Sequence, residues 1–271
     1  MWSLSKIVNR RDEMILVIDV GNTNIVVGCM EGNEILFTAR YSTDREKTED
    51  DYALVFMNMF QFNGIDPKKV EGGIISSVVP ALKKVLKLAV AAVTGKTPLL
   101  VGPELDVGLD IEMDNPGTVG SDLIVDAVAA IAKYPTPILI FDMGTATTLS
   151  VIDRDQKYIG GMIMPGLILS MDALSTKTSQ LPRISLDAPE QLIGKNTINC
   201  MKAGAIYGNA AMLDGIIDRV EDELGGLGTV LATGGLIGEV VPFCRRTIIV
   251  EKDLMLYGLQ MLYERNKDLL K

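Results

Sequence analysis

Two short segments of the chain combine an aspartate, a glycine and a small hydroxyl residue in the same order. Asp19-Val20-Gly21-Asn22-Thr23 lies near the start, and Asp142-Met143-Gly144-Thr145 lies in the second half. Glycine lets backbone N–H groups approach an anion closely, and aspartate can hold the cation that accompanies phosphates. The repeated arrangement therefore predicts two hairpins that bind the phosphates of one shared nucleotide.

Either segment alone is weak support for phosphate binding, because an Asp-x-Gly segment is often only a strand followed by a turn. Its recurrence in matching positions of the two halves favours phosphate binding over that simpler interpretation. A Rossmann-type dinucleotide site is excluded, because no G-x-G-x-x-G segment opens a helix. Here the glycine instead leads from an aspartate into a further strand.

A third segment with potential chemistry runs from Asn115 to Asp122 and leads into a predicted helix, Ser121 to Lys133. At the start of a helix Asp122 would complement the free N–H groups, and taken alone this capping role is the better interpretation. In a two-domain kinase the same carboxylate could accept the proton of an attacking hydroxyl. The chain has no histidine, so a general base must be a carboxylate, lysine, tyrosine or cysteine.

The elements that must position these residues follow the same order in both halves. Apolar runs and helical spacings predict three strands, then helix, strand, helix, strand and helix, starting at Met14 and again at Ile138. This duplicated β-β-β-α-β-α-β-α order predicts an α/β fold with two ribonuclease-H-like domains and a nucleotide cleft between them, as in actin-like ATPases and sugar kinases. We place an extension at residues 1–13 and the domains at 14–135 and 136–271, separated near Pro135-Thr136-Pro137.

The composition narrows the range of partners. The net charge of −9 argues against general binding of nucleic acids or anionic membranes. The three cysteines are scattered without C-x-x-C spacing, which indicates a reducing compartment with neither a disulfide framework nor a zinc site. Because no apolar stretch reaches the roughly 20 residues that span a bilayer, we expect a cytoplasmic protein.

From Met14 onward the chain resembles the type III pantothenate kinases over nearly its whole length. Many ordered segments carry the resemblance, which makes it far more specific than any single motif. They are Asp19-Val20-Gly21-Asn22-Thr23, Ser76-Ser77-Val78-Val79-Pro80, Asp142 to Thr148, Gly160-Gly161 through Pro165-Gly166, Leu181-Pro182, Gly194-Lys195-Asn196-Thr197, Thr233-Gly234-Gly235-Leu236 and Tyr263-Glu264-Arg265-Asn266.

The resemblance implies ATP-dependent phosphorylation of pantothenate to 4'-phosphopantothenate, the first step of coenzyme A biosynthesis. It also implies Mg²⁺ with ATP, a monovalent cation (K⁺ or NH₄⁺), and a homodimer whose substrate pocket lies at or near the subunit interface. Asp122 would be the general base, Asp19 would lie near Mg²⁺, and Asp142 would help to hold the monovalent cation. The implied ATP-binding residues are Asp19, Val20, Gly21, Asn22, Thr23, Asn24, Ile25, Val26, Gly144, Thr145, Gly234 and Gly235, and the implied pantothenate-binding residues are Gly120, Ser121, Asp122, Leu123 and Thr197.

The chain departs from the family pattern on the acceptor side. The family motif G-x-D-R is Gly120-Ser121-Asp122-Leu123 here, a usual tyrosine is Met113, and a usual asparagine is Asp126. Loss of the arginine removes a bidentate partner for the pantothenate carboxylate. Asp126, one helical turn from Asp122, is expected to disfavour an anionic acceptor and to raise the pKa of Asp122.

Three functions therefore stay open at this point. The chain could be a working pantothenate kinase in which another residue supplies the cation, with Lys177, Lys195 and Lys202 as candidates. It could phosphorylate another, less anionic alcohol. It could also be a weak or inactive relative that binds nucleotide and acts as a regulator or partner.

Overall fold

The computed structural model describes residues 14–270, and its first sheet is built around the predicted Asp-x-Gly hairpin. Strands β1 (Met14–Val20), β2 (Asn24–Glu31) and β3 (Glu34–Ser42) form an antiparallel meander. Strands β4 (Gly72–Ser77) and β5 (Leu99–Leu100) extend it in parallel to β1, which gives the order β3-β2-β1-β4-β5. Asp19 therefore lies near the carboxyl end of a central strand, where α/β sheets commonly place their ligands.

Helices α1 (Glu49–Phe62) and α2 (Pro80–Thr94) pack against each other beside this sheet. Helix α1 begins with a capping box, in which the Thr48 side chain accepts from the Asp51 N–H and the Asp51 side chain accepts from the Thr48 N–H. Helix α2 begins with proline, which lacks the N–H that would be unsatisfied there. Apolar faces of both helices and of the sheet meet in one core cluster, which includes Tyr52, Phe56 and Leu82.

The second sheet repeats the first. Strands β6 (Ile138–Met143), β7 (Ala146–Ile152) and β8 (Tyr158–Pro165) form a meander, and β9 (Thr229–Thr233) and β10 (Ile249–Val250) extend it in parallel to β6. Its order, β10-β9-β6-β7-β8, is the order of the first sheet with each strand replaced by its counterpart. The predicted duplicated fold of two ribonuclease-H-like domains is confirmed.

The other helices are α3 (Ser121–Lys133), α4 (Leu167–Lys177), α5 (Thr197–Leu224), α6 (Ile237–Val240) and α7 (Leu254–Asn266). Helix α5 carries its buried residues, among them Ile206, Leu213 and Ile217, into the core cluster of the second sheet. Within residues 14–270, none of the helices combines the length and the apolar character that crossing a membrane would require.

The described chain divides into two compact units that alternate along the sequence. The first contains residues 14–107, 120–125 and 255–270, and the second contains residues 108–119 and 126–254. This division differs from the single boundary predicted near Thr136, because helix α7 packs with the first unit. The Asn266 side chain accepts from the Asp106 N–H at 2.8 Å and donates to the Asp106 carbonyl at 2.9 Å.

Candidate functional site

The first hairpin closes between β1 and β2 around Gly21. The Gly21 N–H donates to the Asn24 carbonyl at 2.9 Å, and Asn22 and Thr23 are exposed at the tip. Asp19 lies directly before the turn, opposite Val26 on β2 and Ser76 on β4. The arrangement places one carboxylate and several backbone groups at the same edge of the sheet, as a phosphate-binding hairpin requires.

The segment that follows β3 is bonded to this hairpin, a feature that the sequence analysis did not identify. The Thr43 hydroxyl donates to the Gly21 carbonyl at 2.7 Å, and the Thr43 N–H donates to the Thr23 carbonyl at 2.9 Å. Arg45 Nη2 donates to Asn22 Oδ1 at 2.9 Å. Three hydrogen bonds thus hold the hairpin tip in one conformation.

Asp122 lies in the first turn of α3, and its carboxylate folds back onto the backbone. The Leu123 N–H donates to Asp122 Oδ1 at 3.0 Å. A Cβ atom at Gly120 would lie 2.3 Å from the same oxygen, so the carboxylate can occupy this place only beside glycine. The predicted capping position of Asp122 is therefore correct, and Gly120 determines where its carboxylate lies.

The first hairpin and Asp122 belong to the same unit, and two serines join them. Ser76, fully buried on β4, is the register partner of Asp19. Its Oγ lies 3.0 Å from the Oγ of Ser121, the residue before Asp122. These contacts connect the strand of the first hairpin to the start of α3: Asp19 is paired with Ser76, Ser76 is hydrogen-bonded to Ser121, and Ser121 precedes Asp122. Ser76 was noted in the sequence only as part of a family motif.

The environment of Asp122 changes its acidity. Burial disfavours the charged form and raises the pKa of Asp122 above its ordinary value, although hydrogen bonds from the backbone N–H groups of Leu123 and of Asp122 itself act in the opposite direction. The direction agrees with the prediction, and the largest cause is burial.

The second hairpin resembles the first but is one residue tighter. The Gly144 N–H donates to the carbonyl of Ala146, two residues on, at 3.0 Å, whereas the Gly21 N–H donates to the carbonyl of Asn24, three residues on; Thr145 is exposed at the tip. Asp142 is paired in register with Thr148 on β7 and with Thr233 on β9. Asp142, Gly144 and Thr145 are therefore together at one edge of the second sheet.

The glycine pair after β9 lies at the same edge. Gly234 has a φ of +95°, and a Cβ atom there would lie 2.4 Å from Asp142 Oδ1. Only glycine combines this backbone conformation with such a close approach. The structure therefore brings Gly234 against Asp142, and Gly235 follows it as an exposed residue.

Two neutral oxygen atoms accompany Asp142 at this edge of the sheet. The hydroxyl of Thr148, the register partner of Asp142, is buried and has no hydrogen-bond partner among the described residues. The Met143 carbonyl lies on the same side, 2.7 Å from the position that a Cβ of Gly234 would take. Across residues 14–270, no cluster of three or more His, Cys, Asp or Glu could hold a metal. A carboxylate and neutral oxygens are ligands that a hard cation can use.

Thr197 lies in a different place, as the first residue of α5 in the second unit. It lines a cavity of about 790 Å³ together with Lys195, Cys200, Met171 and other residues of α4, α5 and the intervening segment. Gly120, Ser121, Asp122 and Leu123 belong to the first unit. The residues predicted to bind the acceptor are therefore divided between the two units, Thr197 in the second and the other four in the first.

The three candidate lysines differ in their surroundings. Lys202 Nζ lies 2.6 Å from Asp187 Oδ2, so its charge already has a partner. Lys177 is exposed at the end of α4. Lys195 lines the cavity beside Thr197, which makes it the best placed of the three for binding an anionic ligand. Met113 is exposed in the second unit, where its sulfur lies 3.7 Å from the position that a Cβ of Gly160 would take.

Comparisons with known proteins agree with this geometry. Residues 15–219 match the model of a family described as type III pantothenate kinase. A type III pantothenate kinase of Exiguobacterium sp. (strain ATCC BAA-1283 / AT1b) is 45% identical over 254 residues, which cover 94% of this chain and 100% of that protein. A type III pantothenate kinase of Moorella thermoacetica is 43% identical over 93% of this chain and 100% of that protein.

One solved structure illustrates how far the fold extends. Component A of the (R)-2-hydroxyglutaryl-CoA dehydratase of Acidaminococcus fermentans superimposes with a TM-score of 0.55 at 14% sequence identity, covering 95% of this chain and 99% of that one. At this identity the likeness concerns the fold alone.

Proposed function

The chain belongs to the type III pantothenate kinase family, and we propose that it phosphorylates pantothenate with ATP, the first step of coenzyme A biosynthesis, with Asp122 as general base. The observation that carries the assignment of Asp122 is its place at the start of α3, linked through Ser121 and Ser76 to the strand that bears Asp19. A base and a phosphate-binding hairpin in one unit are what transfer to an alcohol requires.

The reaction follows from these positions. The primary hydroxyl of pantothenate gives its proton to the Asp122 carboxylate while its oxygen forms a bond to the terminal phosphorus of ATP. The bond from that phosphorus to the bridging oxygen breaks, and ADP leaves. Burial raises the pKa of Asp122, which brings this carboxylate closer to the acidity of an effective general base at neutral pH.

The two hairpins are proposed to bind the phosphates, with Asp19 beside the Mg²⁺ that accompanies ATP. A monovalent cation would be held by Asp142, by the unpartnered hydroxyl of Thr148 and by the Met143 carbonyl. When bound, these ions supply positive charge that offsets the charge of the phosphates. The chain's own contribution is to hold the phosphates and the acceptor in line.

Leu123 leaves the acceptor side without the arginine of the family motif. We propose Lys195 as the cation for the pantothenate carboxylate, because it lines the cavity that also contains Thr197. Replacing Lys195 by Gln should raise the KM for pantothenate roughly tenfold or more, the usual range for a lost charge-assisted contact. Lys177→Gln, which removes an equal charge from the exposed end of α4, is the matched control and should leave the KM unchanged.

A homodimer is part of the proposal, and an exposed apolar surface of the second unit supports it. Large exposed apolar side chains mark a protein interface where they cluster. Here they fall in two stretches of the sequence, one in β8 and α4 and one that leads into the first turn of α5, and they are Met162, Ile163, Ile168, Leu169, Leu192, Ile193 and Ile198. Ile163 and Ile193 are 80% and 79% exposed.

The decisive experiment measures coupled ADP release with ATP, Mg²⁺, K⁺ and millimolar pantothenate. We expect turnover that Asp122→Asn abolishes. No turnover by the wild-type protein would contradict the proposed function. Restoring the family residues with Leu123→Arg and Asp126→Asn then separates the alternatives. Recovered activity would assign the defect to the acceptor side, whereas an inert double variant that still binds ATP would favour a nucleotide-binding regulator.

A further inference from the structure

Arg45 is the basic residue that the structure attaches to the first hairpin. Its Nη2 donates to Asn22 Oδ1 at 2.9 Å, and both residues are exposed. A guanidinium has five N–H donors, and this bond uses one of them. The remaining donors stand at the tip of a hairpin that is proposed to bind phosphates, and their planar arrangement matches two phosphate oxygens.

The backbone that leads into Arg45 is held in place. Thr43 is bonded to the hairpin through its hydroxyl and its N–H. Asp44 is bonded to the buried side chain of Tyr52: the Tyr52 hydroxyl donates to the Asp44 carbonyl at 2.7 Å and accepts from the Asp44 N–H at 3.2 Å. Arg45 is thus presented by an anchored segment, which lowers the entropy lost when its side chain binds a ligand.

The duplicated fold provides an internal comparison. In the second unit the residue after β8, Gly166, lies against the other hairpin; a Cβ atom there would lie 2.2 Å from the Thr145 carbonyl oxygen. The chain then enters α4 directly, and the first basic residue after β8 is Lys177. After β3 the chain instead continues through Asp44 to Arg45 before α1 begins. The two hairpins therefore share their Asp-x-Gly segment, but among the described residues the segment after the third strand brings an arginine only to the first hairpin.

The position of Asp122 indicates which phosphate meets this arginine. Asp122 accepts the proton of the attacking hydroxyl in the proposed function, and the serine pair Ser76–Ser121 joins it to the strand of the first hairpin. The phosphorus under attack must therefore lie at the first hairpin. Negative charge on its oxygens is what a fixed guanidinium stabilises during phosphoryl transfer.

We propose that Arg45, held by Asn22, binds the terminal phosphoryl group of ATP at the first hairpin. This inference rests on the proposed function for the identity of the reaction, but it can be tested by binding alone. ADP lacks the terminal phosphoryl group, so the ratio of the Kd for ADP to the Kd for ATP reports this contact. The control is Lys47→Gln in the same segment, because the Lys47 ammonium lies over the Tyr52 ring, 5.6 Å from its centroid, and not on the hairpin.

Isothermal titration calorimetry of the full chain with ATP and with ADP, both in Mg²⁺, tests the proposal. Arg45→Gln should weaken ATP binding roughly tenfold to hundredfold and leave ADP within about threefold. Arg45→Lys should restore only part of the loss, because an ammonium cannot make the bidentate contact. Lys47→Gln should leave the ratio of the two Kd values unchanged.

An unchanged ratio in Arg45→Gln would overturn the proposal. If both affinities fell by the same factor, the guanidinium would be placed on an inner phosphate; if neither fell, it would bind no phosphate. If the wild-type protein binds ATP but does not phosphorylate pantothenate, the proposed function fails while the ratio still decides the role of Arg45. If turnover is normal and the ratio is unaffected by Arg45→Gln, only the inference about Arg45 fails.

Discussion

Replacing Gly120 by Ala should lower the rate of phosphorylation roughly a hundredfold, with little effect on the stability of the protein. The new Cβ would lie 2.3 Å from Asp122 Oδ1, about 1 Å closer than an ordinary contact, while its distances of 3.5 Å to Asp122 Cγ and 3.8 Å to Leu123 Cγ are ordinary. The carboxylate must therefore move by about 1 Å, a displacement that can cost roughly a hundredfold in rate.

The stability terms are small and opposed. Moving the carboxylate breaks its bond from the Leu123 N–H, which costs about 0.5–1.5 kcal/mol. A Gly→Ala change at a backbone conformation open to alanine returns about 0.4–1 kcal/mol, and Gly120 is not among the glycines with positive φ. The free energy of unfolding measured in urea should therefore change by less than about 1 kcal/mol.

The assay is steady-state kinetics of ADP release for Gly120→Ala and for a control in the same loop, Gly117→Ala. The nearest atom to a Cβ at Gly117 is Asn115 Oδ1 at an ordinary 3.7 Å, so this variant should behave as the wild type. Gly120→Ala should lower kcat with the KM for pantothenate nearly unchanged, and adding Asp122→Asn should lower kcat by a smaller factor than the same change does in the wild-type protein. A wild-type kcat in folded Gly120→Ala would refute the reasoning, and a rise in KM alone would mean that Gly120 acts by touching the acceptor.

Three further predictions concern the serine pair, the acidity of the base and the dimer. Ser76→Ala should lower kcat and reduce the free energy of unfolding by about 0.5–1.5 kcal/mol. The Ser76→Ala/Ser121→Ala double variant should lose much less unfolding free energy than the two single variants lose together. Additive losses would show that the two hydroxyls act separately. The pKa of Asp122 in the folded state is raised above 3.8, so the wild-type protein loses stability as pH rises through the window between the ordinary and the raised pKa. The stability of Asp122→Asn relative to wild type, measured by urea unfolding, should therefore increase from acid to neutral pH. A difference that stays constant with pH would contradict this prediction. Ile163→Glu should shift the mass measured by light scattering from dimer to monomer, whereas Phe62→Glu, at a 91% exposed position of the first unit, should not; a dimeric Ile163→Glu would exclude this surface.

The fold could be predicted largely from local patterns. The runs that begin at Met14 and Ile138 indicate strands through their apolar residues, and α3 was predicted with its observed bounds, Ser121–Lys133. The short parallel strands are less predictable: the sequence predicts strands over Pro98 to Val101 and Thr247 to Glu251, whereas β5 and β10 contain two residues each. The length of such a strand depends on pairing with β4 or β9, which residue types alone do not reveal.

The candidate site was predicted less completely, because its contacts join distant parts of the chain. Ser76 and Ser121 are separated by 45 residues, and Arg45 and Asn22 by 23 residues, before they form their hydrogen bonds. Lys202 and Lys195 look equivalent in the sequence, yet Lys202 pairs with Asp187 and Lys195 lines a cavity. Which lysine has a charge available for a ligand is thus a property of the folded chain.

The sequence by itself determined the parts that depend on neighbouring residues: the two Asp-x-Gly turns, the duplicated order of elements, and Asp122 at the start of a helix. Only the tertiary structure decided that α7 packs with the first unit, that Ser76 joins Asp19 to the start of α3, and that burial raises the pKa of Asp122. The physical reason is the range of the interactions. Turns and helix starts need only local backbone geometry, whereas burial and register arise from segments that meet after folding.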